Sequence, residues 1–272
     1  MTVSVSPAEM IIWLLARELR SDDVMVVGTG TPIASLSALY ARELHAPGLT
    51  LLSDALVNPV THDVSRPMVK GDALNGAGDG YYTMLEALEY CARSVATVLL
   101  MRPAQVDSYA NVNVSLIGTI DKPKRVFPGS LAVGDMPVVL DRILLYEPNH
   151  SRQAFVDRVD FITGVGTPSP GWRRDEGVRG QGATCIVSNL CVMRFQPEGG
   201  WALESLHPGV ELDAVVDSTG FALKVPDSVP QSTVPHGAAL KLLREVLDPH
   251  RVRDIEFREL REAVVKDLYA LA

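Results

Sequence analysis

Apolar residues in this chain gather in short unbroken runs, and between them they recur at helical spacing. Val24-Met25-Val26-Val27, residues 49–53 and Thr97-Val98-Leu99-Leu100-Met101 are near-continuous apolar segments bounded by turn residues. That is the pattern of strands buried on both faces, as in parallel sheet. Residues 33–44 and 82–93 carry helical spacing, and residues 112–117, 125–127 and 137–146 read as further strand or buried segments. Residues 185–195 and 201–206 read as two strands joined by the turn Pro197-Glu198-Gly199-Gly200. At the N-terminus, Ser6-Pro7-Ala8-Glu9 has the form of a capping box with proline at the first helical position. The helix it opens, to about residue 20, is apolar on most sides and so is expected to be widely buried. Residues 237–247 predict a helix and 253–272 a charged amphipathic one. The alternation predicts an α/β fold: a single doubly wound, mostly parallel sheet domain over 1–250, with a helical extension at 251–272.

Composition narrows the function. With 272 residues, 47% of them hydrophobic, the chain can bury a full core. A net charge of −8 argues against nucleic acid as a partner, but leaves room for a local basic cleft that takes a phosphate-bearing ligand. No apolar run approaches the length of a membrane span, and the first apolar stretch is broken by Arg17, Glu18 and Arg20, unlike a signal peptide. A soluble, cytoplasmic protein is expected. Cys91, Cys185 and Cys191 are too few and badly spaced for a disulfide framework or metal site, and no HExxH-type spacing occurs, so no metal is expected.

Several loops are candidates for the chemistry. Gly28-Thr29-Gly30-Thr31-Pro32 joins a strand to a helix, where backbone can approach a ligand near free helical N–H groups. It is not a dinucleotide fingerprint, because Ile33 stands where the third glycine belongs; a plain tight turn is the alternative. Asp54 follows the strand at 49–53, at the carboxyl end where α/β sheets collect ligands. Residues 59–80 and 167–182, rich in Gly and Pro, read as long loops. His207 in Ser205-Leu206-His207-Pro208-Gly209-Val210 and His45 before Ala46-Pro47 read as turn architecture rather than as acid or base.

Several strings occur in a telling order: GTGTP (28–32), HAPGLTLLSD (45–54), AQVDSYANVNVS (104–115), KPKRVFPGS (122–130), VDFITGVG (159–166), VSNLCVMRF (187–195) and SLHPGV (205–210). Together they resemble the β subunit of glutaconate-type class I coenzyme A-transferases, and also the β subunit of steroid ring-opening CoA hydrolases. An acyl-CoA decarboxylase shares the same two-subunit plan. The resemblance implies a fold of CoA-transferase type and an α-type partner, in an αβ or α2β2 assembly. It implies a coenzyme A thioester as substrate, no tightly bound cofactor, and an active site between the chains.

In the transferases a glutamate after a serine attacks the thioester and carries CoA as a glutamyl thioester, which is nucleophilic catalysis in covalent steps. Here the pair is Ser53-Asp54, one methylene shorter, and Ala55-Leu56-Val57 departs from the glycine-containing continuation. A shift of about 1 Å can cost about a hundredfold in rate, so the shortening bears on mechanism. Asp54 is open to three readings: nucleophile, a group orienting water or substrate, or a turn cap. Gly129, Ser130 and Ala132 match the loop whose backbone N–H stabilises the thioester oxyanion, although Leu131-Ala132 replaces a Gly-Gly pair; a strand-to-helix turn with no catalytic role is the alternative. Gln105 and Asn113 match positions tied to substrate and CoA contacts; Ala110 replaces a glycine, and Asn111 and Asn113 can equally close Asx turns. Gly28 and Gly30 complete the candidate ligand-binding set. A non-catalytic subunit supporting a catalytic α-type partner is the alternative function.

Overall fold

The structure is a computed structural model that describes residues 4–28, 30–53, 56–58, 78–130, 132–196 and 198–271. In chain order the elements are α1 (Pro7–Glu18), β1 (Val24–Val27), α2 (Pro32–Leu44), β2 (Thr50–Ser53), β3 (Leu56–Val57), β4 (Gly80–Tyr81) and α3 (Met84–Ala92). Then come β5 (Val98–Met101), β6 (Gln105–Val106), β7 (Val112–Asn113), β8 (Leu116–Thr119), β9 (Lys122–Val126), α4 (Met136–Val139) and β10 (Arg142–Glu147). The rest are α5 (Trp172–Asp175), β11 (Ala183–Ser188), β12 (Cys191–Gln196), β13 (Gly200–Leu206), α6 (Leu212–Ser218), α7 (Gly237–Lys241) and α8 (Arg261–Leu271). A π-helical turn (Leu242–Leu247) and a 3-10 turn (Val252–Glu256) lie between α7 and α8. By compactness the chain falls into two units, residues 1–90 with 233–272, and residues 91–232.

In the first unit β1 and β2 pair in parallel, Val24 against Thr50, and β3 and β4 continue antiparallel. The N-terminal helix is built as its sequence requires. Ser6 Oγ accepts from Glu9 N and Glu9 Oε2 accepts from Ser6 N, a closed capping box. All its apolar side chains but Leu14 are buried, several of them fully, and Ile11, Ile12 and Leu15 join Ile33, Leu36 and Tyr40 of α2 in the core. Glu9 is buried too, at 1% exposure. It is neutralised by Arg244 and Arg253, which reach it from the C-terminal segment at 2.7 and 3.1 Å, and Arg253 also pairs with buried Asp248 at 2.8 Å.

In the second unit β10 is central, with β5 and β11 parallel on its two sides; β12 and β13 extend the order antiparallel. All six β10 residues are buried, the double coverage that a continuous apolar strand signals. The fold is therefore α/β with parallel buried strands, as the apolar runs predict.

Four segments differ from the pattern-based expectation. Residues 185–195 form two strands, because the Ser188 hydroxyl accepts from the N–H groups of Leu190 and Cys191 and folds the chain back. Residues 137–146 are a helical turn and then a strand, since Pro137 sits in the first turn of α4. The loop at 167–182 contains the short helix α5. Residues 253–272 divide into the 3-10 turn and α8, and Asp248 caps the former by accepting from Val252 N and Arg253 N.

Candidate active site

The second unit gathers most of the sequence-derived candidates. Gln105 on β6 lies opposite Asn113 on β7, and both are buried. Gln105 Oε1 accepts from Asn113 Nδ2 at 2.8 Å and from Asp160 N at 2.9 Å. Asn113 Nδ2 also donates to Leu116 O at 2.7 Å, while its Oδ1 accepts from Ser115 N and Leu116 N at 3.0 and 3.3 Å. Asn113 thus closes an Asx turn with its amide wholly engaged. Gln105 differs. Its oxygen is fixed by two donors, so the amide cannot flip, and its Nε2 has no partner among the described residues. A pinned amide with a spare N–H is an oriented donor, suited to a carbonyl oxygen.

Beside this pair lies a second knot. The carboxylate of Asp107, fully buried, accepts from Tyr109 N, Asn111 N and Asn111 Nδ2, each at 3.0 Å. Asn111 Oδ1 in turn accepts from Gly166 N at 2.8 Å. Gly166 cannot be replaced here: a Cβ would lie 1.9 Å from Tyr109 O. Ala110, where relatives by resemblance have glycine, sits at φ +63°. Its backbone keeps the left-handed geometry, at an expected cost of about 1 kcal/mol.

The loop after β9 packs next to Asn113. Val114 O lies 3.3 Å from where a Gly129 Cβ would stand, and Phe127 N donates to Ser115 O at 2.8 Å. Ser130 is exposed; Ala132 is buried, and its carbonyl accepts from Asp135 N and Met136 N at the entry to α4. Leu131 lies outside the described residues. Arg173 of α5 ties this loop's continuation to the Asp107 knot. Its guanidinium donates to Pro137 O and Gly180 O at 2.7 Å and to Gly166 O at 2.8 Å, and its Nε donates to Thr167 Oγ1 at 3.0 Å. Burial lowers its pKa, which remains a strong base's.

In the first unit, Gly30 has φ +75° with open space around it, and Thr31 Oγ1 donates to Gly28 O. The N-terminus of α2 is not wholly free: Ile33 N donates to the buried carboxylate of Glu256 at 3.0 Å. Ser53 ends β2, buried, opposite Leu56. Asp54 lies outside the described residues.

His207, His45 and His150 are architectural. His207 is buried, its ring nitrogens 3.0 Å from Ser232 Oγ and 2.8 Å from Ser188 O; burial lowers its pKa and the Ser188 carbonyl opposes this. His45 Nε2 lies 3.1 Å from Leu19 O. His150, buried, stands between Ser188 Oγ and Thr219 Oγ1 at 2.9 and 3.0 Å and stacks on Phe155; burial lowers its pKa to about 4. Cys191 lies 3.8 Å from it, with burial raising the thiol pKa to about 12 against a hydrogen bond from Ser188. That thiol is a poor nucleophile. Among the described residues no group of three or more His, Cys, Asp or Glu is placed to hold a metal. No helix among them is long and apolar enough to cross a membrane.

Sequence pattern did not single out Asp107 or Arg173. Asp107 lies within AQVDSYANVNVS, and its one signal is an acid two residues before the turn at Tyr109-Ala110. Arg173 lies in a Gly/Pro-rich loop with no signal beyond its type.

Known proteins frame this geometry. The profile of the coenzyme A transferase family matches residues 8–218. The B-type chain of the 3-oxoadipate CoA-transferase of Pseudomonas knackmussii is 31% identical over 246 residues, covering 88% of this chain and 92% of that protein. The cholesterol ring-cleaving hydrolase IpdB subunit of Mycobacterium tuberculosis is 29% identical over 266 residues, covering 92% and 98%. In three dimensions, a chain of the decarboxylase AibA/AibB superposes with a TM-score of 0.80 at 25% identity, covering 92% and 98%.

Proposed function

The chain belongs to the coenzyme A transferase family, and from that premise we propose that it is the β-type subunit of a two-chain enzyme acting on an acyl-CoA thioester. The carrying observation is Gln105. Its oxygen is locked by Asn113 and Asp160 while its Nε2 remains an unpartnered donor among the described residues, and Val114, next to Asn113, packs against Gly129. This arrangement suits an oriented hydrogen bond to the substrate, with the Gly129–Ala132 backbone taking negative charge that develops on the thioester oxygen. Gly28 and Gly30 are assigned to backbone contact with the ligand, with Gly30 open and left-handed.

We assign the carboxylate chemistry of this chain to Asp54, which follows β2. As nucleophile it attacks the thioester carbonyl, expels the CoA thiolate and forms a mixed anhydride; the thiolate then returns to give an aspartyl thioester and a free acid. As orienting group it instead holds a water that attacks the thioester. The partner in this reading is an α-type chain, in an αβ or α2β2 assembly, and coenzyme A enters as part of the substrate rather than as a resident cofactor. A cytoplasmic setting suits three free, buried thiols.

The test uses the complex with its partner, acyl-CoA and borohydride, followed by mass spectrometry. Reduction of a thioester at Asp54 is the mark of CoA transfer. Turnover without it assigns hydrolysis. If Asp54→Asn leaves turnover unchanged, the chemistry belongs to the partner chain.

A further inference from the structure

We propose that the β8–β9 hairpin is a binding site for the phosphate-bearing end of coenzyme A; this rests on the acyl-CoA reading above. In a chain of net charge −8, the hairpin concentrates Lys122, Lys124 and Arg125 within four residues, with Asp121 as the sole acid between 116 and 130. All three cations are exposed, and none has a hydrogen-bond or ion-pair partner among the described residues. Other arginines of the same unit do find acids: Arg102 with Glu147, Arg179 with Asp141, Arg194 with Glu204. Asp160 meets the hairpin near its turn, where its carboxylate accepts from Gly118 N at 2.8 Å. Three unneutralised like charges on one short strand repel one another, and an anion between them relieves that repulsion.

Local geometry adds to this. The pairing shifts register between Ile117 and Gly118, which sit opposite Arg125 and Pro123, so Lys124 has no partner across the ladder. Bulges of this kind bend an edge and re-aim its side chains. Arg125 lies over the Phe127 ring at 4.9 Å, which restrains the guanidinium.

The chain then runs from Lys124 straight into Gly129, so the basic group and the thioester loop belong to one continuous segment. At about 3.3 Å per residue, the five steps span at most ~16 Å. The pantetheine arm between the CoA sulfur and its first phosphate is about twelve bonds, or about four residues of extended chain, ~14 Å. A thioester held at Gly129–Ala132 thus sets the pyrophosphate and ribose phosphate beside Lys122, Lys124 and Arg125.

The experiment measures binding of coenzyme A and of pantetheine, which lacks the phosphates, to the assembled complex by calorimetry. It compares wild type, the triple variant Lys122→Glu/Lys124→Glu/Arg125→Glu and the charge-keeping Lys122→Arg/Lys124→Arg. The triple variant is expected to weaken coenzyme A about tenfold or more and to flatten its salt dependence, leaving pantetheine unchanged. The charge-keeping variant retains wild-type affinity. Equal affinity of wild type and triple variant for coenzyme A overturns the site while leaving the acyl-CoA reading intact. Equal loss for coenzyme A and pantetheine also overturns it, as structural damage. Absence of coenzyme A binding to the wild-type complex removes both.

Discussion

The two units satisfy most of their buried polar groups by different means. The first uses charge: Glu9, Arg244, Arg253 and Asp248 form an ionic cluster joining the first helix to the C-terminal segment. The second uses mostly neutral groups, with amides at Gln105, Asn111 and Asn113 and hydroxyls around His150 and His207. Charge pairs tolerate long, flexible arms and so suit the joining of residues more than 230 positions apart, as Arg244 joins Glu9. Planar amides have directional donors and acceptors, so they fix orientation, which is what a substrate pocket needs. The lone carboxylate among those amides, Asp107, is quenched by backbone N–H groups rather than by a cation.

The comparison breaks most readily in the first unit. Arg253→Met strips Asp248 of its cationic partner and Glu9 of one of two, and is expected to destabilise the fold by about 3 kcal/mol, measured by urea unfolding. Burial pushes the Glu9 carboxyl up, but the bonds and charges of Arg244, Ser6 N and Arg253 outweigh it and hold the pKa below its usual value. Its contribution is therefore present above the ordinary glutamate range and lost as the pH falls below it.

The second unit has its own acid weakness, at higher pH. Burial lowers the His150 pKa from 6.5 to about 4, so the unfolded chain binds the extra proton first. The contribution of neutral His150 is expected to be full above about pH 6.5 and to fall progressively toward pH 4, by up to about 3 kcal/mol. Unfolding midpoints across this acid range should show the slope, and His150→Asn should remove it.

The amide pair supplies a sharper contrast. Asn113→Ala leaves buried partners unsatisfied and should cost about 1–3 kcal/mol of stability. Gln105→Glu keeps the two acceptor bonds but removes the spare donor. It should preserve folding while lowering kcat/KM for acyl-CoA about tenfold or more. If both variants lose only stability, the pocket role of Gln105 fails. The smallest effect is expected at Ala110→Gly, which relieves the left-handed strain and should stabilise by about 0.5 kcal/mol, seen as a slightly higher midpoint.

Much of the fold was legible because its signals are local. The capping box at Ser6–Glu9, the apolar runs of β1, β2 and β5 and the proline opening α2 depend on neighbours within a turn or a strand. The break at Ser188–Leu190 was not, since Cys185 to Phe195 is apolar on both sides of a hydroxyl whose turn competes with strand continuation. At the candidate site, the residue types of Gln105, Asn113 and Gly129 are what singled them out in the sequence. Their different states, one amide exhausted and one with a donor to spare, depend on Asp160 N, 55 residues from Gln105.

By itself, then, the sequence determined the α/β class and the family, and it supplied the segments proposed to bear the chemistry, because periodicity and ordered motifs are properties of the linear chain. Only tertiary structure decided which polar groups are already satisfied. It matched Glu9 with Arg253, Ile33 N with Glu256, and the guanidinium of Arg173 with carbonyls from three segments. Hydrogen-bond partners are chosen by distance in space, and a donor's availability to a ligand is whatever folding leaves unclaimed.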